Sequence, residues 1–212
     1  MDIKIDKKKK RLEFSQSKSS DWALLSGGNY SGWEIIFNGL GTSSQSIQLE
    51  RQRFNKFGLT GCINLYKTIL NNTKITARKG GCEDSVNFIS SVGNEIFLAV
   101  EDSFADAIDA DFSKLSFSNL NVRRAGNDCL DVSSGEYSVK SANLENCKDK
   151  GISVGEMSEF SGDDIKVNLT GIGVSSKDLS KTSINTFKAT ETSLCAEVKQ
   201  KKQEFGGATL TL

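Results

Sequence analysis

A five-residue alternation recurs along the chain, in the order variable, small, aliphatic, polar, aliphatic. It reads Gly61-Cys62-Ile63-Asn64-Leu65, Asp84-Ser85-Val86-Asn87-Phe88, Asp106-Ala107-Ile108-Asp109-Ala110 and Asp128-Cys129-Leu130-Asp131-Val132. Lys150-Gly151-Ile152-Ser153-Val154, Thr170-Gly171-Ile172-Gly173-Val174 and a weaker Leu194-Cys195-Ala196-Glu197-Val198 continue it. The copies lie 23, 22, 22, 22, 20 and 24 residues apart. Alternation with period two marks a strand with one buried face, and recurrence at a near-constant spacing marks a stack of like units. A second strand follows each first one, as in Glu95–Val100, Leu115–Phe117 and Tyr137–Val139.

One such unit has too little apolar surface to close a core. Stacking buries Ile63, Val86, Ile108, Leu130, Ile152 and Ile172 as one column, and Leu65, Phe88, Ala110, Val132, Val154 and Val174 as another. The pattern therefore predicts an all-β protein, a right-handed single-stranded parallel β-helix of about seven coils over residues 59–212. Residues 1–58 fit the repeat poorly. Trp22 to Phe37, with Gly27-Gly28 and Trp33, reads as an irregular first coil or a cap over the open end. The whole forms one structural domain. The stretch Thr209-Leu210-Thr211-Leu212 is strand-like without a cap, which predicts an oligomer or a longer chain continuing through the C-terminal coil.

Composition then removes several classes of function. The net charge is zero and charged residues make up 25%, so no overall basic field draws nucleic acid. No apolar run reaches the roughly 18 residues of a membrane span. The lysine run within Met1–Arg11 lacks a following apolar stretch, so no secretory signal is expected and Lys7 to Arg11 reads as a solvated tail. There is no histidine, which excludes Ser-His-Asp and Cys-His catalysis and any imidazole base. Proline is also absent, as suits a fold of hydrogen-bonded strands. The five cysteines form no Cys-x-x-Cys pair, so no zinc site is expected.

In-register stacking turns the repeat into vertical rows with about 4.8 Å between neighbours. Asp84, Asp106 and Asp128 then stand one above another, with Lys150 next. Beside them runs an outward row of Asn64, Asn87, Asp109, Asp131, Ser153, Gly173 and Glu197, flanked by small residues. The face should be open and acidic, and carboxylates this close should raise at least one pKa, as a general acid requires.

Phe104-Ala105-Asp106-Ala107-Ile108-Asp109, Gly126-Asn127-Asp128-Cys129-Leu130 and Cys147-Lys148-Asp149-Lys150-Gly151-Ile152-Ser153-Val154-Gly155 together resemble the active-site region of polygalacturonase-type glycoside hydrolases. Those enzymes belong to the pectin-lyase-like β-helices and carry Asn-Thr-Asp, Gly-Asp-Asp-Cys and Gly-His-Gly on successive coils. The resemblance covers about 50 residues of the 212. It implies that Asp106 and Asp128 occupy two of three catalytic aspartate positions, and that Cys129 and Cys147 sit at cysteines that pair in some members. This chain departs from the pattern at Asn127, where the family has an acidic residue, and at Lys150, where it has histidine. Gly173 and Ser175 replace the family's substrate-binding Arg and Lys.

Three readings of the aspartate row stay open. Asp106 and Asp128 act as acid and base across a roughly 6.5–9.5 Å gap. Alternatively the aspartates accept hydrogen bonds from turn N–H groups. In the third, Asp84, Asp106 and Asp128 join backbone carbonyls in an oxygen cage suited to Ca²⁺; no other cofactor or metal is expected. The functional expectation is a carbohydrate-associated protein that binds, or weakly hydrolyses, a polysaccharide. Asp84, Asn87, Asp109, Asn127, Asp131, Lys150 and Ser153 would then contact the substrate. The alternative is a non-catalytic structural or interaction module of a larger surface or assembly protein.

Overall fold

The computed structural model describes residues 1–41 and 54–212. The part of the expected N-terminal cap at residues 42–53 lies outside the described residues. In chain order the strands are β1 (Asp2–Asp6), β2 (Arg11–Ser15), β3 (Ala23–Ser26), β4 (Glu34–Asn38), β5 (Gly61–Tyr66) and β6 (Lys74–Arg78). There follow β7 (Asp84–Ile89), β8 (Val92–Ser103), β9 (Asp106–Asp111), β10 (Lys114–Ala125), β11 (Leu130–Ser133) and β12 (Glu136–Cys147). The last are β13 (Lys150–Gly155), β14 (Glu159–Asn168), β15 (Ile172–Lys177), β16 (Lys181–Thr190), β17 (Leu194–Lys199) and β18 (Thr209–Thr211).

Odd-numbered strands from β3 to β17 form an eight-stranded parallel sheet. Even-numbered strands form a second sheet, to which β1 adds one antiparallel strand. The chain is thus a parallel β-solenoid of about eight turns. No helix of the described residues is long and apolar enough to cross a membrane.

Two columns of left-handed residues bend each coil. Lys67, Ser90, Phe112 and Ser134 have positive φ just after strands of the eight-stranded sheet. Lys79, Leu169 and Glu191 do the same just after strands of the other sheet, and Asp102, Arg124 and Asn146 one residue before the ends of theirs. A third bend lies inside each long strand. In β10 the buried residues Leu115 and Phe117 are followed by Leu120 and Val122, so the alternation changes phase at Ser118-Asn119. The same skip occurs at Lys140-Ser141 in β12 and Asp163-Asp164 in β14. The wall therefore folds around the core without breaking its ladder.

The extra turn comes from the N-terminal region. Strand β3 pairs with β5 and strand β4 with β6, both parallel and in register. Trp22 to Phe37 therefore makes a regular coil; β2 extends its sheet by parallel pairing with β4, and β1 turns back antiparallel on β2. A long insertion after β4 hides this coil from the 22-residue period.

At the other end the register corrects the sequence alignment. Ile152 pairs with Val174, and Val174 with Ala196. Ile172 lies opposite Lys150, and Ser175, not Gly173, follows Ser153. Ile172-Gly173-Val174 imitates the repeat two residues early. With this register the inward column Leu65, Phe88, Ala110, Val132 and Val154 ends in Ser176, whose hydroxyl donates to the Thr209 carbonyl at 2.9 Å and pairs with Thr182.

Small residues at the start of the eight-stranded sheet turn toward the long strands. Ser85 Oγ donates to Ser103 Oγ at 2.7 Å, and Cys129 is disulfide-bonded to Cys147 with Cα atoms 5.5 Å apart. A second disulfide joins Cys62 and Cys82 at a Cα separation of 5.3 Å. Each bridge closes a single coil. At the neighbouring corner a Cβ on Gly126 would lie 1.8 Å from the Phe104 carbonyl oxygen, so the chain crosses the coil below where only glycine fits.

Candidate functional site

The aspartate row stands where the repeat places it. Asp84 is in register with Asp106. Asp106 Oδ1 accepts the Asp128 N–H at 2.7 Å and the Asn127 amide at 2.7 Å. Asp128 Oδ1 accepts the Lys150 N–H at 2.9 Å and its ammonium at 3.4 Å. Asp106 and Asp128 thus each capture a backbone donor of the next coil at a corner where regular pairing begins, which is what short acidic side chains do at turns.

Asn64, Asn87, Asp109, Asp131, Ser153, Ser175 and Glu197 make the adjacent row. The Asn87 amide nitrogen lies 2.8 Å from Thr60 Oγ1, 3.0 Å from Asp84 and 3.1 Å from Asp109. A third row carries Asp111 beside Ser133. The face is acidic but it is not open. Asn64, Asn87, Asp84, Asp128, Ser153 and Ser175 are all buried. Toward the C-terminal end Lys177 lies over Gly155 and donates to Ser153 Oγ at 2.6 Å. The small residues expected to floor this face, among them Cys129 and Ala107, belong to the core.

Burial and mutual repulsion dominate the electrostatics. Burial pushes Asp106 and Asp128 up to about 7, aided by the Asp131 charge. Asp84 and Asp111 rise to about 6, again mainly through burial. Burial, reinforced by the charges of Asp84, Asp111 and Asp131, holds Asp109 well above the usual carboxylate range. Burial disfavours the Lys150 ammonium, but Asp149 and Asp128 outweigh it and raise the pKa. Among the described residues no group of three or more His, Cys, Asp or Glu side chains is arranged to hold a metal ion.

A groove lies on the other sheet. It has a volume of about 730 Å³ and runs along the outer surface of β10, β12, β14, β16 and β18, reaching Ile69 and Val92 at one end. Ser116, Ser138, Ser161, Ser183 and Thr211 stack in register along it. None of these hydroxyls has a hydrogen-bond partner among the described residues. Nearer the N-terminus the same column is used structurally: Ser31 Oγ accepts the Asn71 N–H, and Asn71 Oδ1 accepts the Asn94 N–H, both at 3.2 Å. Along one side run Lys114, Glu136, Glu159 and Lys181, which neutralise one another through ion pairs of 2.5 Å (Lys114–Glu136) and 3.2 Å (Lys181–Glu159). Serine at one position in four successive coils was visible in the repeat, but only stacking turns it into a trough.

No protein-family model matches the chain, and no curated protein is significantly similar to it. The parallel β-solenoid stands on the geometry itself. The likeness to polygalacturonases rests on its residues alone.

Proposed function

We propose that this solenoid is a carbohydrate-binding protein that takes an extended, uncharged stretch of polysaccharide along the serine and threonine groove. The observation that carries this reading is the run of five in-register hydroxyls without internal partners, spanning roughly 20 Å at strand spacing. Free hydroxyls both donate and accept, as a sugar's own hydroxyls require. The self-neutralised rim offers no net charge to select an acidic polymer. Binding is favoured over hydrolysis because Asp106 and Asp128 spend carboxylate oxygens on main-chain donors, and Asp128 is only 2% exposed.

Replacing Ser138 and Ser161 together by arginine should fill the groove without touching the core. In isothermal titration against soluble glucans, mannans and xylans, with polygalacturonate as the acidic comparison, the variant should bind more than about tenfold more weakly, a loss of ~1.4 kcal/mol. The Asp106→Asn/Asp128→Asn variant should bind like the wild type. Equal loss in both variants would return the site to the aspartate face; no retention of any polysaccharide at millimolar sugar would end the carbohydrate reading.

A second reading, an interaction module, is supported by the last coil. Leu194 and Val198 on β17 are half-exposed, and β17 and β18 each have a free edge among the described residues. It predicts concentration-dependent association in sedimentation velocity, abolished by Leu194→Asp/Val198→Asp.

A further inference from the structure

The lysine run near the N-terminus is built, not trailing. Strands β1 and β2 pair antiparallel from Asp2↔Ser15 to Asp6↔Arg11, and the four residues between them are all lysine. Asp6 Oδ1 accepts the N–H groups of Lys8 and Lys9, each at 3.0 Å. Lys10 closes the turn in a left-handed conformation and donates its ammonium to the Ser31 carbonyl at 3.2 Å. Lys7, Lys8, Lys9 and Lys10 are exposed. Among the described residues the only carboxylate near any of their ammonium groups is Asp6, 3.9 Å from Lys9. Arg11, by contrast, is matched by Glu34 and Glu13.

The same hairpin carries exposed aliphatic surface. Ile3 and Ile5 lie directly opposite Phe14 and Leu12, so they share the inward face. Phe14 and Leu12 are each 5% exposed, whereas Ile3 and Ile5 are 53% and 59% exposed. The core column thus runs past the last covering strand of the opposite sheet and ends in two open isoleucines close to four exposed lysines that have a single carboxylate among them.

We propose that this hairpin docks the protein on an anionic lipid surface, lysines against the headgroups and Ile3 and Ile5 at the boundary with the acyl chains. Charge complementarity selects the partner. Clustered lysines attract an anionic bilayer additively and within a Debye length, and short aliphatic side chains add burial that a purely ionic polymer cannot reward. The fixed turn presents the charges without an ordering cost at the moment of contact. The surface lies apart from the hydroxyl groove, so it stands independently of the carbohydrate reading.

The test is co-sedimentation of the full chain with phosphatidylcholine vesicles, with and without about one third phosphatidylglycerol. Binding should require the anionic lipid and fall as salt rises. Lys7→Glu/Lys8→Glu/Lys9→Glu should weaken it at least a hundredfold. Ile3→Ser/Ile5→Ser should weaken it while leaving binding to heparin unchanged. Circular dichroism melts confirm that the variants fold. Absence of sedimentation with anionic vesicles overturns the proposal. So does heparin binding that matches vesicle binding in strength and ignores the isoleucine changes, an outcome that makes the tip a site for an anionic polymer.

Discussion

Thermal melts followed by circular dichroism should show the solenoid losing stability as the pH rises from about 5 to about 8. The cause is the carboxyl stack of Asp84, Asp106, Asp109, Asp111 and Asp128. Their folded-state pKa values are all raised above 3.8, to about 6 for Asp84 and Asp111, to about 7 for Asp106 and Asp128, and well above the ordinary value for Asp109. A raised pKa means that the folded chain holds the proton more tightly than the unfolded one. The associated stability is complete below about 3.8 and disappears as pH passes through 6 to 7. Each pKa unit is worth ~1.4 kcal/mol. The groups suppress one another's ionisation, so the shifts do not add; a total near 4 kcal/mol and a fall in Tm of roughly 10 °C are expected.

Protonation does not break the corner bonds, because a neutral carboxyl keeps an acceptor oxygen for the next coil's N–H. Acid weakens the fold only through other groups. Asp21 is held at about 2 by its bond to the N-terminal ammonium and by the Ser17 and Lys18 N–H groups. Burial raises Glu156 and Glu197, but Lys202 and Ser133 outweigh it for the first, and Lys199 and Ser175 for the second, so both lie below the usual range. Their contribution exists at neutral pH and is lost as pH falls through the folded pKa values. The optimum should therefore fall near pH 4 to 5. Asp109→Asn/Asp128→Asn should flatten the alkaline arm; an arm equally steep in that variant would place its cause elsewhere.

The second large effect is reduction of the disulfides. Cys62–Cys82 and Cys129–Cys147 span 20 and 18 residues. Loops of that size restrict the unfolded chain by about 3 kcal/mol each. Losing both should lower Tm by roughly 15 °C. Cys129→Ser/Cys147→Ser alone should take about half of that. In denaturant, thiol titration should find a single reactive group before reduction, Cys195, and all five cysteines afterwards. A Tm indifferent to reduction would show that neighbouring coils alone hold these corners shut.

The solenoid was legible in the sequence because the alternation of Ile63-Asn64-Leu65 and its copies records, every 22 residues, which side chains meet the core. The copies from Ile63 to Val154 gave the correct register, Ala110 included. The copy Ile172-Gly173-Val174 did not: it carries the aliphatic alternation two residues early, so Gly173 passed as a polar position, and the true partner of Ser153 is Ser175. The coil made by β3 and β4 was hidden because the segment joining it to β5 has its own length. The aspartate row was also legible, but its burial was not. Openness depends on side chains such as Lys177 and on residues such as Thr60 that approach from outside the repeat. Cys62 and Cys82 gave no cue to pairing, since their spacing of 20 residues differs from the 18 of the other bridge. The hydroxyl groove escaped because one serine per coil is unremarkable until the coils are stacked.

Within the solenoid nearly every strand pairs with the strand one coil away, 22 or 23 residues along the chain for most pairs. Sequence separation between contacts therefore stays constant however many coils are added, and loop-closure entropy does not grow with the size of the molecule. Folding can start in any coil that first closes its corner and spread in both directions. The coils tied by Cys62–Cys82 and Cys129–Cys147 are the natural starting points once oxidised. Unfolding runs the other way, fraying from β1 and β17, so amide exchange should be slowest around β9 to β13 and fastest at the two ends.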